Sequence, residues 1–233
     1  MDIQLNYVEK GTGFPLLLLH GNGENLHYFE HQIRYFSKSF RVIAVDTRGH
    51  GRSPRGEAPF TIQQFAEDLL TFMDTLGLQK AHILGFSDGG NVALTFALKY
   101  PSRVEKLILN GANLSPCGVK MHVQLPIEIG YWIAHLFSRI SPAAKYHTQL
   151  LGLMVLQPNI QPEQLAKLET PTLVIAGTKD MIREAHTKLI FDSLPNAQLA
   201  WIPGDHFIAK RQPDAFNARV DAFLQAPATQ KIG

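Results

Sequence analysis

The chain has 233 residues, 45% of them hydrophobic and 18% charged, and 22 lysines and arginines against 20 acidic residues leave a formal charge of +2. That balance belongs to one globular domain of generous size, able to bury a core without staples, and it lacks the basic stripe of a nucleic-acid binder and the polybasic patch of a membrane-surface protein. One cysteine, Cys117, excludes an internal disulfide and a cysteine-based zinc cluster.

In chain order, Ile3 to Glu9 alternates as a strand does, and Gly11-Thr12-Gly13 turns it into Pro15-Leu16-Leu17-Leu18-Leu19. Four consecutive leucines fit a strand buried on both faces of a sheet. Further β-rich runs are Val42 to Val45, His82 to Phe86, Leu107 to Leu109, Leu173 to Ala176 and Leu199 to Ile202. Helical periods separate them. Phe65, Leu69, Phe72, Met73 and Leu76 share one stripe, with Thr61 as cap and Gly77 as stop; Asn91 to Tyr100 and Asp214 to Leu224 read as two more helices. Strands alternating with helices imply a doubly wound, mostly parallel α/β sheet, whose ligands bind at the carboxyl ends of the strands.

The stretch 112–170 breaks the rhythm. It carries five prolines (116, 126, 142, 158 and 162) and no convincing strand, so two or three short helices inserted after a strand are expected. The apolar residues Met121, Leu125, Ile129, Trp132, Ile133, Leu136 and Phe137 would then cover the strand ends as a lid. The domain reading is a core of 1–111 and 171–233 with this helical insertion between them.

The strongest local signal is Gly85-Phe86-Ser87-Asp88-Gly89-Gly90, set between a strand and a helix. Such a turn holds a serine strained and exposed, with the N-terminal amides of the next helix beside it. A nucleophilic serine needs a base, the base needs an orienting acid, and the oxyanion needs donors. The loop His20-Gly21-Asn22-Gly23 ends the leucine strand and offers a backbone amide, and Asp88 offers a second. Asp180 and His206 each follow a strand through a short glycine-containing loop.

Together with Asp46-Thr47-Arg48-Gly49-His50-Gly51-Arg52-Ser53, Gly177-Thr178-Lys179-Asp180 and Gly204-Asp205-His206, these motifs make the sequence resemble the α/β-hydrolase family over nearly its whole length. The resemblance implies Ser87 as nucleophile, His206 as general base and then acid, Asp180 as its orienting carboxylate, and the amides of Asn22 and Asp88 as the oxyanion hole. It implies no metal and no organic cofactor.

Rivals exist for each role. His186 sits in a predicted helix and His147 in the lid; Asp205 adjoins His206 too closely to reach its Nδ1; Glu184 lies one turn beyond Asp180. His27-Tyr28-Phe29-Glu30-His31 matches a zinc-protease pattern but lacks an identified third ligand. The glycines of 46–53 lack the Gly-Lys-Ser/Thr ending of a P-loop and read as a structural turn with Arg48 or Asp46 paired internally.

The expected function is a serine hydrolase cleaving a small to medium carboxylic ester, thioester or amide through an acyl-enzyme. The same family includes cofactor-free carbon–carbon bond lyases and ligand-binding receptors, which remain the alternatives. Asp88, Trp132 and Phe86 are the expected substrate contacts, Asp88 through attraction for a cationic group. The partner is a small molecule, neither nucleic acid nor a membrane span: the most apolar window, Val123 to Phe137, is interrupted by Pro126, Glu128, Gly130 and His135. Met1 to Leu5 shows no signal-peptide pattern, which sets the expectation of a cytoplasmic protein.

Overall fold

The computed structural model describes residues 2–227; Met1 and residues 228–233, the outermost parts of the expected core, lie outside the described residues. Seven strands form one sheet: β1 (Tyr7–Lys10), β2 (Pro15–Leu19), β3 (Arg41–Val45), β4 (Ala81–Phe86), β5 (Val104–Asn110), β6 (Thr172–Gly177) and β7 (Ala197–Ile202), in the order β1-β3-β2-β4-β5-β6-β7. All pairings are parallel except β1 with β3. The nine helices of the described residues are α1 (Glu30–Phe36), α2 (Ile62–Thr75), α3 (Asp88–Lys99), α4 (Met121–Phe137), α5 (Pro142–Val155), α6 (Pro162–Leu165), α7 (Glu184–Ser193), α8 (Ile208–Arg211) and α9 (Pro213–Gln225).

The leucine run explains why helices cover both faces. With a side-chain period of two, Leu17 and Leu19 enter one core with the inner faces of α2 and α3, while Leu16 and Leu18 enter the other with α1 and α9. All four are at most 1% exposed, each contributing about 2 kcal/mol of burial. Thr61 caps α2 as expected: its Oγ1 accepts from the Gln64 amide at 3.1 Å. Gly77, at φ +67°, ends the helix in the left-handed region.

The first strand is shorter than its alternation suggests, because only Tyr7 to Lys10 pair with β3. The larger departure lies in the insertion, whose helices α4 and α5 have 17 and 14 residues. Proline 126 sits inside α4, where it withholds one backbone hydrogen bond without ending the helix. The apolar residues expected to cover the strand ends are largely exposed: Met121 to Phe137 supply seven large hydrophobics, each 48% to 74% exposed. Helix α4 packs chiefly on α5 and buries Gln124 and Tyr131. It is α5 that approaches the core, through Tyr146 Oη to the Gly49 carbonyl (3.3 Å), Arg55 Nε to Gln149 Oε1 (2.8 Å) and Asn22 Nδ2 to the Leu150 carbonyl (2.7 Å).

Candidate active site

Strand β4 runs into α3 through Ser87, whose φ of +52° makes it the only residue other than glycine with positive φ among the described residues. A side chain in that region stores strain of roughly 1–3 kcal/mol, which the surroundings must impose. They do so by close approach. A Cβ on Gly85 would lie 2.2 Å from the Gly89 carbonyl oxygen, and one on Gly89 would lie 2.1 Å from that of Leu19. The Ser87 amide donates to the Asn110 carbonyl at 2.8 Å, and the Ser87 carbonyl accepts from Gly90 and Asn91, so the serine is both the end of the strand and the first acceptor of the helix.

The three side chains from distant loops meet here. His206 Nε2 lies 3.0 Å from Ser87 Oγ, and His206 Nδ1 lies 2.6 Å from Asp180 Oδ1. Asp180 Oδ1 also accepts from the Ile182 amide at 2.9 Å, and Oδ2 from the Gly177 amide at 3.3 Å. Burial pushes the Asp180 carboxyl up, but the His206 hydrogen bond and charge and these two amides outweigh it, leaving the group below the ordinary carboxylate range. It is ionised at neutral pH. Gly111, just after β5, makes room for the pair: a Cβ there would lie 2.6 Å from His206 Cε1.

The loop after β2 abuts the serine, since a Cβ on Gly21 would lie 3.2 Å from Ser87 Cβ. Among the described residues, the amides of Asn22 and Asp88 donate to no protein acceptor. His20 anchors this loop. Its Nδ1–H donates to the Gly21 carbonyl at 2.7 Å and its Nε2 accepts from the Thr47 amide at 3.1 Å, an arrangement only the neutral ring can make. Burial pushes its pKa down to about 4, in keeping with that assignment.

The rivals are engaged elsewhere. His186 Nε2 accepts from the Leu114 amide at 2.9 Å, Glu184 pairs with Lys188, and Asp205 caps the Phe207 amide and pairs with Arg211. His147 lies exposed on α5. Glu30 and His31 face one another at 3.6 Å on an exposed surface. Arg48 is fully buried and bound by Asp68 and Asp2, both at 2.6 Å, while Asp46 accepts from Asn6, Leu26 and Arg52. The glycine-rich run 46–53 is thus a clamped turn.

Of the expected substrate contacts, Phe86 is buried. At 2% exposure it stacks on Tyr28 (ring centroids 4.3 Å) and packs beneath His206 (4.8 Å), bracing the imidazole instead of presenting a surface. Trp132 stands on the outer side of α4 against Tyr131 and His135. Asp88 is buried, its Oδ1 accepting from Asn91 Nδ2 at 3.1 Å and its Oδ2 without a partner, beside a void of about 10 Å³ lined by His20, Asn22 and His50. Burial pushes its carboxyl up to about 6, with the Asn91 hydrogen bond and the His206 charge pulling the other way.

Sequence reasoning passed over Glu24. Burial pushes its carboxyl up to about 7, with the charges of Lys210 and His206 opposing, and its Oε2 has no hydrogen-bond partner. Its position two residues after Asn22, in the loop against the serine, was the available signal.

Comparison with known proteins agrees with this architecture. Residues 15–126 match the model of the alpha/beta hydrolase fold. A protein named putative carbamate hydrolase RutD from Caulobacter sp. (strain K31) is 30% identical, with 91% of each chain covered. The 3-oxoadipate enol-lactonase 2 of Acinetobacter baylyi is 27% identical over 96% of this chain and 94% of its own. A crystal structure of a hydrolase from Pseudomonas aeruginosa PA01 superposes with a TM-score of 0.80 at 29% identity, covering 96% of this chain and 95% of that one. The chain belongs to the α/β-hydrolase family and is a hydrolase.

Proposed function

We propose that the protein hydrolyses a small to medium carboxylic ester through an acyl-enzyme on Ser87. The observation that carries this reading is the connected relay from Ser87 Oγ through His206 to Asp180. In the first half-reaction Ser87 Oγ attacks the substrate carbonyl as its proton passes to His206 Nε2. The resulting oxyanion lies between the amides of Asn22 and Asp88, and each such donor is worth about 10²–10³ in rate. The imidazolium, held by the Asp180 carboxylate, returns the proton to the departing alkoxide, which leaves as the alcohol. A water then gives a proton to His206 and attacks the acyl carbon; collapse releases the acid and restores the serine hydroxyl. His206 requires an ionised partner throughout, and the lowered Asp180 carboxyl supplies it.

The names of the relatives narrow the bond. A lactone is a cyclic ester and a carbamate a carbonyl flanked by oxygen and nitrogen, so both present the electrophile that this relay attacks. A second reading, in which the substrate carries a cationic group, rests on the buried and unpartnered Asp88 Oδ2.

The test is Ser87→Ala against a panel of p-nitrophenyl esters of graded acyl length, with labelling by a fluorophosphonate probe. The parent protein is expected to label and turn over the shorter esters, and the variant to do neither while unfolding with the same cooperativity. Turnover undiminished in the variant would end the assignment.

A further inference from the structure

Helix α4 is inside out. Leu125, Ile129, Trp132, Ile133, Leu136 and, just beyond its end, Ile140 recur every three or four residues and form one stripe, yet each is 50% to 79% exposed. The side turned toward α5 carries Gln124, whose Nε2 donates to the Met154 carbonyl at 3.3 Å, and Tyr131. A helix normally buries its apolar stripe, and an exposed stripe on this scale marks a surface that something else covers.

The charges around it say what kind of surface. Across 120–156 the only acidic residue is half-buried Glu128, against Lys120, Arg139 and Lys145. Folding adds a fourth cation: Arg183 reaches the start of α4, its Nε donating to the Val119 carbonyl at 3.2 Å. The stripe is therefore bracketed by Lys120 and Arg183 at one end and by Arg139 at the other, while Lys145 stands on the far side of α5 beside Arg55 and Glu57. A second copy is a poor match, because two such faces laid together in either direction set cation against cation. An anionic lipid surface satisfies both features, taking the apolar side chains below its headgroups and the three cations at its charge. An exposed tryptophan in the stripe suits the same boundary.

We propose that the outer face of α4 docks the protein reversibly on anionic lipid surfaces, whatever bond the active site cleaves. The protein is expected to sediment with vesicles of equal parts phosphatidylglycerol and phosphatidylcholine, to bind pure phosphatidylcholine vesicles more weakly, and to be released by high salt. In a Trp201→Phe background, Trp132 emission should shift to the blue on binding. The variant Leu125→Glu/Ile129→Glu/Leu136→Glu alters only exposed positions and should lower vesicle affinity about tenfold or more. Its hydrolysis of a soluble ester should match the parent. Lys120→Glu/Arg139→Glu should weaken binding to phosphatidylglycerol vesicles while leaving the weak binding to phosphatidylcholine. Failure to bind either vesicle at low salt overturns the proposal, as does binding indifferent to both variants. A protein that is dimeric by sedimentation equilibrium, and made monomeric by the glutamate substitutions, would show that a second copy covers the face instead.

Discussion

A carboxyl group adjacent to the serine, buried with one oxygen unpartnered, is an uncommon place to keep an aspartate. Its carboxyl, pushed up to about 6, holds its proton in the folded state where the unfolded chain has already lost it. Stability drawn from that difference is complete below the unfolded value near 4 and disappears as pH rises through about 6. Asp88→Asn keeps the shape and removes the ionisation. It should be more stable than the parent by about 3 kcal/mol near pH 8, the gap closing toward pH 4, as thermal denaturation at the two pH values would reveal. The same variant reports on the substrate. If Asp88 draws a cation, the rate ratio for an aminoacyl ester over a neutral ester should fall; a ratio equal to the parent's removes that reading. At this scale the sequence was informative wherever chemistry forces a residue type into a fixed local context. Ser87, Asp180 and His206 each end a strand-and-loop unit whose glycines are legible. Phe86 and Glu24 were not, since a ring beneath an imidazole and a carboxyl losing water are properties of tertiary neighbours.

Among the elements, the strands were readable because burial on both faces leaves an unbroken apolar run, as in Leu16 to Leu19. Helix α2 was readable because its stripe, its threonine cap and its terminal glycine agree. Helix α4 misled for a physical reason: its periodicity is that of a buried helix, and periodicity cannot say which neighbour receives the stripe. The prolines misled too, since Pro126 is accommodated in a helix whose outer side has no packing to disturb. One contact between the insertion and the site runs through the Asn22 side chain. Asn22 donates to the Leu150 carbonyl at 2.7 Å and offers its Oδ1 to His50 Nε2 at 3.4 Å, so the loop whose backbone amide is proposed to bind the oxyanion is held by α5. Asn22→Ala retains the amide but frees the loop. It should lower kcat about tenfold with a smaller change in KM, as steady-state kinetics on a soluble ester would show. Equal loss in both parameters, or none, would separate the loop's position from the helix.

On the scale of the whole molecule, the parallel sheet delivers the loops after β2, β4, β6 and β7 to one rim, and two apolar cores hold that rim from opposite faces. No helix of the described residues is long and apolar enough to cross a membrane. Among the buried polar groups is Arg48, a guanidinium with no exposed surface gripped by Asp68 through two hydrogen bonds of 2.6 and 2.7 Å. Removing one partner of a buried pair leaves the other charge uncompensated at a cost of about 3–5 kcal/mol. Asp68→Ala leaves Arg48 with Asp2 alone and should therefore lower the unfolding free energy by about 3 kcal/mol, the low end of that range, measured in urea, while Gln64→Ala, which removes only a flanking hydrogen bond to Asp68, should change it far less.

Arg48 has a second counter-ion in Asp2, whose oxygens also receive the amides of Glu57 and Ala58. Asp2 is thereby stitched into the turn whose Thr47 amide holds His20. Asp2→Ala would therefore be felt tens of residues away, in the turn that supports the loop beside the serine.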